Sequence, residues 1–184
     1  MQTVRVIVTD ECNRHCKGCC NNYLGEVDPV EFEDLLKYDE IVITGGEPMM
    51  IAERVVEFVH RLRFSGFTGK IWLYTANSRR LDKYWAVGLL IDDVDGMTYT
   101  IHNEPLDRLR KDLADLRRLD KYLAEHDRAG KSDRLYIDSR VYDEEYVKSL
   151  AYQWAEIKPL EWKENGDCPL PENEVLVFYD LERV

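Results

Sequence analysis

Four of the chain's five cysteines fall within "TDECNRHCKGCCNN", residues 9 to 22. They are Cys12, Cys16, Cys19 and Cys20, with His15 among them. Thiolates bind zinc or iron–sulfur clusters. Closed structural zinc sites combine two ligand pairs from separate parts of a chain. Here one block holds the thiols, and the fifth, Cys168, stands alone far downstream. His15 or Cys20 would be the residue to complete a zinc site on this loop. Cys19 and Cys20 are adjacent, so placing both on one metal would strain the backbone. Three cysteines on a short loop suit another task. A cube of four irons and four sulfurs held by three thiolates keeps one iron free of protein ligands. That iron can then bind a substrate, as a catalytic zinc does through its open position. Spacing alone leaves both metals in play.

The elements around this block alternate. "VRVIVTD" (4–10), "EIVITGG" (40–46), "GKIWLYTAN" (69–77), "GMTYTIH" (96–102), "RLYIDSRVY" (134–142) and "EVLVFYDLE" (174–182) read as six strands. Helices are expected over 28–38, 51–66, 78–93, 143–157 and through the stripe Leu106, Leu109, Leu113, Leu116, Leu119, Leu123. Asp28 reads as the N-cap of the first helix and Pro29 as its first residue. Such alternation predicts an α/β fold of parallel strands with right-handed helical crossovers. The strands read as near-continuous apolar runs, as if covered on both faces. A doubly wound sheet and an open or partial barrel both satisfy the pattern. In either, sites collect at the carboxyl ends of the strands. The cysteine block, "TGGEP", "TAN" and "TIHN" all lie there, on a single rim.

Composition narrows the classes. The 184 residues fit a single domain, 1–184, with a core drawn from 45 % hydrophobic residues. No apolar run is long enough to span a membrane, and "MQTVRVIVTD" is too polar for a signal peptide. A cytoplasmic location is expected, where clustered thiols bind metal rather than form disulfides. The formal net charge of −11 argues against a nucleic-acid partner.

C-x3-C-x2-C after the first strand, with "GGEP" after the second, resembles the radical S-adenosylmethionine (radical SAM) superfamily. The resemblance extends over the six strands and implies that family's partial six-stranded α/β barrel. It implies that Cys12, Cys16 and Cys19 ligate a [4Fe–4S] cluster, whose open iron takes the amino and carboxylate groups of S-adenosylmethionine. Gly45, Gly46, Glu47 and Pro48 match the motif that contacts the amino group. "LYTAN" is similar to the family's third strand end and points to Thr75 and Asn77. Thr100 and His102 stand where ribose is contacted. Ser139 or Arg140 would meet ribose or the methionine carboxylate. The implied chemistry is reductive cleavage of the sulfonium to a 5′-deoxyadenosyl radical, which takes hydrogen from a substrate. An external one-electron reductant of the flavodoxin or ferredoxin type is implied as partner. "CNRHCKGCCN" also resembles the form found in activators of anaerobic ribonucleotide reductase, so a glycyl-radical enzyme is one expected protein substrate. A small molecule, such as a nucleotide or deazapurine precursor, is the second. A non-catalytic zinc or iron–sulfur module is the third reading.

The chain also departs from the family. Gly18 stands before the third cysteine, where an aromatic residue commonly seats adenine. Tyr23 is the nearest replacement. Cys20 is extra: either it faces the cavity or it is a small buried hydrophobe, and the second is the expectation.

Overall fold

A computed structural model describes residues 2–78, 81, 85–164 and 169–183. Its seven strands are β1 (Thr3–Ile7), β2 (Glu40–Thr44), β3 (Lys70–Thr75), β4 (Gly96–Ile101), β5 (Arg134–Asp138), β6 (Glu156–Leu160) and β7 (Glu174–Phe178). The helices are α1 (Phe32–Leu35), α2 (Ala52–Phe64), α3 (Trp85–Asp93), α4 (Leu106–Glu125) and α5 (Glu144–Lys148). All strand pairs are parallel, in the order β6-β5-β4-β3-β2-β1-β7.

The two faces of this sheet differ in chemistry. Side chains alternate along a strand, so residues of one parity share a face. Val4, Val6, Ile41, Ile43, Ile71, Leu73, Met97, Tyr99, Leu135 and Ile137 are all buried in the core. The other parity supplies Arg5, Ile7, Thr44, Tyr74, Thr98, Thr100, Tyr136, Leu160 and Leu176, drawn from all seven strands. These line a single cavity of about 710 Å³. A sheet that turns one face of every strand toward one cavity has the arrangement of a partial barrel. The expected cover on both faces holds for the outer face alone; the inner one lines a cavity and is mixed rather than apolar, because a cavity floor must meet a ligand as well as pack.

Three expectations about the elements need correction. The segment 143–157 is not one helix. It ends at Lys148 and re-emerges as the unexpected strand β6. The buried carboxylate of Asp120 on α4 accepts the Ala151 and Tyr152 backbone N–H groups at 2.7 and 3.1 Å. Those groups are thereby kept out of a helical ladder. The Trp154 indole donates to the same carboxylate at 3.1 Å. β6 then forms an outer strand, where Pro159 is tolerated. The closing strand is thus the seventh, and it returns beside β1.

The first helix is also shorter than expected. Asp28 and Pro29 do not open it. The Asp28 carbonyl accepts from Phe178 N at 3.0 Å, and Val30 N donates to the Phe178 carbonyl at 2.9 Å. The end of β7 therefore captures these residues as a strand-like bridge, and Glu31 becomes the N-cap. Part of the expected helix 78–93 lies outside the described residues, and α3 covers its second half. No helix among the described residues is long and apolar enough to cross a membrane.

Candidate active site

The cysteine loop leaves β1 at its carboxyl end, and Cys12, Cys16 and Cys19 all line the cavity. All three are free thiols. Cys20 also reaches the cavity lining but is disulfide-bonded. Cys168 lies outside the described residues. Burial raises the Cys12 thiol above its ordinary range. Burial, and then the charge of Glu104, push Cys16 up to about 12. The Glu104 carboxylate stands 3.8 Å from the Cys16 sulfur. Without metal these two thiols therefore keep their protons, and a bound metal has to displace them. Among the described residues no three His, Cys, Asp or Glu side chains close on a point that one ion would fill.

The loop is held from beneath by Arg14, itself 6 % exposed. Its guanidinium donates to Asp112 on α4 at 2.8 Å and to the Ala76 carbonyl, after β3, at 2.6 Å. Arg108 of α4 donates to the Asn13 carbonyl. From the far side comes the segment after β6. The Trp162 indole donates to the Lys17 carbonyl at 2.6 Å, and Lys17 pairs with Glu164 at 2.5 Å. Gly18, at φ +73°, lets this segment lie flat on the loop, since a Cβ there would strike the Lys163 and Glu164 backbone. The space beside position 18 is thus occupied by a crossing chain.

The glycine turn after β2 is laced directly to the cysteine loop. Gly46 N donates to the Thr9 carbonyl at 2.6 Å, and Glu47 N to the Glu11 carbonyl at 2.7 Å. Asn21 donates to the Gly45 carbonyl. Gly45 has φ +126°, a backbone state that L side chains rarely adopt. A Cβ on Gly46 would collide with the Glu11 carbonyl. Gly46→Ala therefore has to push the two segments apart. Overpacking of this kind costs about 1–3 kcal/mol. Thermal unfolding should show that loss, and iron analysis after reconstitution should show lowered cluster occupancy. Full occupancy at unchanged stability would mean that the close approach is dispensable.

Glu47 is 2 % exposed and fully engaged. It accepts from Thr75 Oγ1 at 2.6 Å, Ala76 N at 2.9 Å and Met49 N at 3.1 Å. Burial raises its carboxyl above the usual range, against the pull of those three donors. Its side chain ties the turn to the end of β3 and caps the 3-10 turn Pro48–Ile51 that Pro48 begins. Gly45, Gly46, Glu47, Thr75, Thr100 and His102 meet around the cavity with the three thiols. Pro48 and Asn77 are buried beside it without lining it.

Ser139 and Arg140 lie outside the lining. Arg140 pairs with Asp138 at 2.7 Å and with Glu164 at 2.6 Å, and so braces the crossing segment. Ser139 N donates to the Leu160 carbonyl at 2.9 Å. Tyr23 is 57 % exposed and is not part of the cavity. Tyr74 and Tyr136 reach it from the sheet, and Trp162 reaches it from the segment after β6, edge-on to His102 with ring centroids 4.6 Å apart. By sequence Trp162 reads only as a packing residue, because most of β6, which delivers it, lies past the helix expected over 143–157 and reads as no element.

Burial, and then the charge of Arg14, hold the His102 imidazole down at about 4, from an ordinary 6.5. In the fold it stays neutral, while the unfolded chain takes up a proton below about 6.5. Its contribution to stability is present above that value and is lost as pH falls from about 6.5 toward 4. Urea unfolding between about pH 4.5 and 7.5 should show a shallower pH slope in His102→Gln than in the parent. An unchanged slope would assign the acid sensitivity to other groups.

The parallel strands, the thiol loop at the end of the first and the glycine turn bonded to it define a candidate cluster-binding site on one rim of the sheet. Residues 3–84 match the family model described as "4Fe-4S single cluster domain". The fold is similar to that in "Crystal structure of BtrN in complex with AdoMet and 2-DOIA", with a TM-score of 0.52 and 20 % identity. That likeness covers 76 % of this chain and 58 % of BtrN, so the chain matches less than two thirds of the other protein's length. At this identity the likeness is one of fold. No curated protein matches the chain. Family match and shared fold together support the radical SAM superfamily.

Proposed function

We propose that this chain is a radical SAM enzyme with a single [4Fe–4S] cluster. One observation carries the reading. Three free thiols on one loop share a cavity with a glycine turn, and two backbone hydrogen bonds join that turn to the loop. The donor set fits a cluster: three thiols, one cavity, and Cys20 already bonded elsewhere. When bound, the cluster and S-adenosylmethionine supply one-electron cleavage of the sulfonium, giving methionine and a 5′-deoxyadenosyl radical. The protein's own residues bind, orient and shield. Cys12, Cys16 and Cys19 would hold the cluster. Carbonyls of the Gly45–Gly46 turn would accept from the methionine ammonium. Glu47 keeps that turn in place through Thr75 and Ala76. Thr100 and His102 would present polar groups to ribose, while the Thr75 hydroxyl is committed to Glu47 and Asn77.

Trp162 offers the aromatic face that Gly18 cannot. Base–aromatic stacking is worth about 1–3 kcal/mol. Trp162→Ala should therefore raise KM for S-adenosylmethionine roughly 5- to 100-fold, while Trp162→Phe, which keeps a ring, stays closer to the parent. Equal KM values in all three proteins would remove Trp162 from the adenine seat.

For the substrate, the opening of the cavity favours a protein. Leu24 and Leu170 line it and are 36 % and 41 % exposed, so its edge is apolar as well as open. That suits docking of another chain, such as a glycyl-radical enzyme, better than enclosure of a small polar molecule. The test of the whole reading is anaerobic reconstitution with iron and sulfide, then dithionite and S-adenosylmethionine. Formation of 5′-deoxyadenosine is expected. Colourless protein with one zinc and no nucleoside would overturn it. A persistent glycyl radical in an added partner, seen by electron paramagnetic resonance, would separate protein from small-molecule substrates.

A further inference from the structure

Helix α4 sorts its charges by sign. Asp112, Asp115 and Asp120 are buried, at 1, 4 and 5 % exposure. Asp112 faces Arg14 of the cysteine loop, and Asp120 faces the chain after α5. The solvent side carries Arg110, Lys111, Arg117, Arg118 and Lys121, with Asp107 and Glu125 at its ends. Arg118 pairs with Asp115, Lys121 stands 3.7 Å from Glu125, and Arg117 lies over the Tyr146 ring at 5.2 Å. Arg110 and Lys111 have no ion-pair partner among the described residues. The neighbouring α5 adds Glu144 and Glu145, with Glu144 drawn toward its own Lys148 at 3.4 Å. A cationic strip roughly 16 Å long thus runs along one helix, on a chain whose net charge is −11.

The inward face of the same helix holds the thiol loop, through Asp112 to Arg14 and Arg108 to Asn13. About one helix diameter, 10–12 Å, separates strip and loop. We propose that this strip is the docking face for the external one-electron donor, a small protein with an acidic surface. This assignment rests on the radical SAM reading above. An acidic carrier is repelled by the chain as a whole, so productive encounter needs a local field of opposite sign. The strip supplies that field on the helix that holds the thiol loop through Asp112 and Arg108. On docking, one electron leaves the carrier, which is oxidised, and reduces the cluster. No bond forms or breaks. Nucleic acid is disfavoured, because the row is a single helix edge on an acidic protein.

The test uses the reconstituted protein with reduced flavodoxin as probe, followed by stopped flow at several salt concentrations. Arg110→Glu/Lys111→Glu should slow reduction by flavodoxin about tenfold or more at low salt and flatten its salt dependence. Calorimetric binding of oxidised flavodoxin should weaken in parallel. Reduction by dithionite should not change. Lys37→Glu/Arg54→Glu removes the same charge elsewhere, from side chains 74 % and 54 % exposed, and should stay near the parent. Equal losses in the two variants, or no loss in the first, would overturn the docking face. So would tight oligonucleotide binding that the first variant abolishes. If the parent binds flavodoxin but makes no 5′-deoxyadenosine with dithionite, the radical SAM reading fails, and the donor role with it.

Discussion

Cys16→Ala abolishes both cluster assembly and S-adenosylmethionine cleavage, whereas Cys20→Ala keeps the cluster. A [4Fe–4S] cube with one open iron has three protein ligands, and the structure offers three free thiols on one loop. Cys16 is the middle ligand. Its carbonyl accepts from Cys19 N at 3.2 Å, so it also shapes the turn that brings the third thiol round. No free cysteine beyond Cys12 and Cys19 is present among the described residues to replace it. The effect is therefore total rather than graded. Iron and sulfide content, the visible absorption of the cluster and 5′-deoxyadenosine formation are the readouts. Loss of cluster in both variants would show four ligands instead of three, and the open iron would be gone.

The largest effect on stability is expected at Arg14. Its guanidinium and the Asp112 carboxylate are 4 % and 1 % exposed as side chains and stand 2.8 Å apart. Removing one member of a buried pair takes from the other the charge that offsets its own desolvation, which costs about 3–5 kcal/mol. Arg14→Met should lower the melting temperature by about 6–20 °C on that basis. The double variant Arg14→Met/Asp112→Leu removes both charges and should recover most of the loss. It still lacks the donor to the Ala76 carbonyl, so its cysteine loop should stay looser and its iron content lower than the parent's. Arg14→Met with an unchanged melting temperature would mean that the pair contributes nothing and the loop is held by other bonds.

Much of this was legible in the residues, and the reasons are local. β1 to β4 are short runs of Val, Ile, Thr and aromatics bounded by turn residues, and both motif segments sit directly at strand ends. The glycines of "TGGEP" could be tied to a close approach, and the structure shows what approaches: the Thr9 and Glu11 carbonyls. What stayed hidden was imposed from a distance. β6 depends on Asp120, some thirty residues earlier, drawing two N–H groups out of a helix. With β6 unseen, Trp162 and its bond to Lys17 were unseen too. Arg14 lies between two cysteines, and nothing beside it in the sequence marks its role, because its partners Asp112 and Ala76 are far along the chain. The polar inner face was missed for a similar reason. Arg5, Thr98 and Tyr136 stand among β-forming neighbours, and only the wrapping of the sheet shows that they face one cavity.

The central claim is a metal cluster gripped by three sulfurs beside a glycine turn, with its fourth corner turned to the sulfonium cofactor. Electron–nuclear double resonance on the reduced, reconstituted protein reads that corner directly. With S-adenosylmethionine labelled by nitrogen-15 at the amino group, the account predicts a hyperfine coupling from the label to the cluster, lost in Cys16→Ala. A cluster that shows no coupling to the label, or whose spectrum is the same with and without the cofactor, would contradict it.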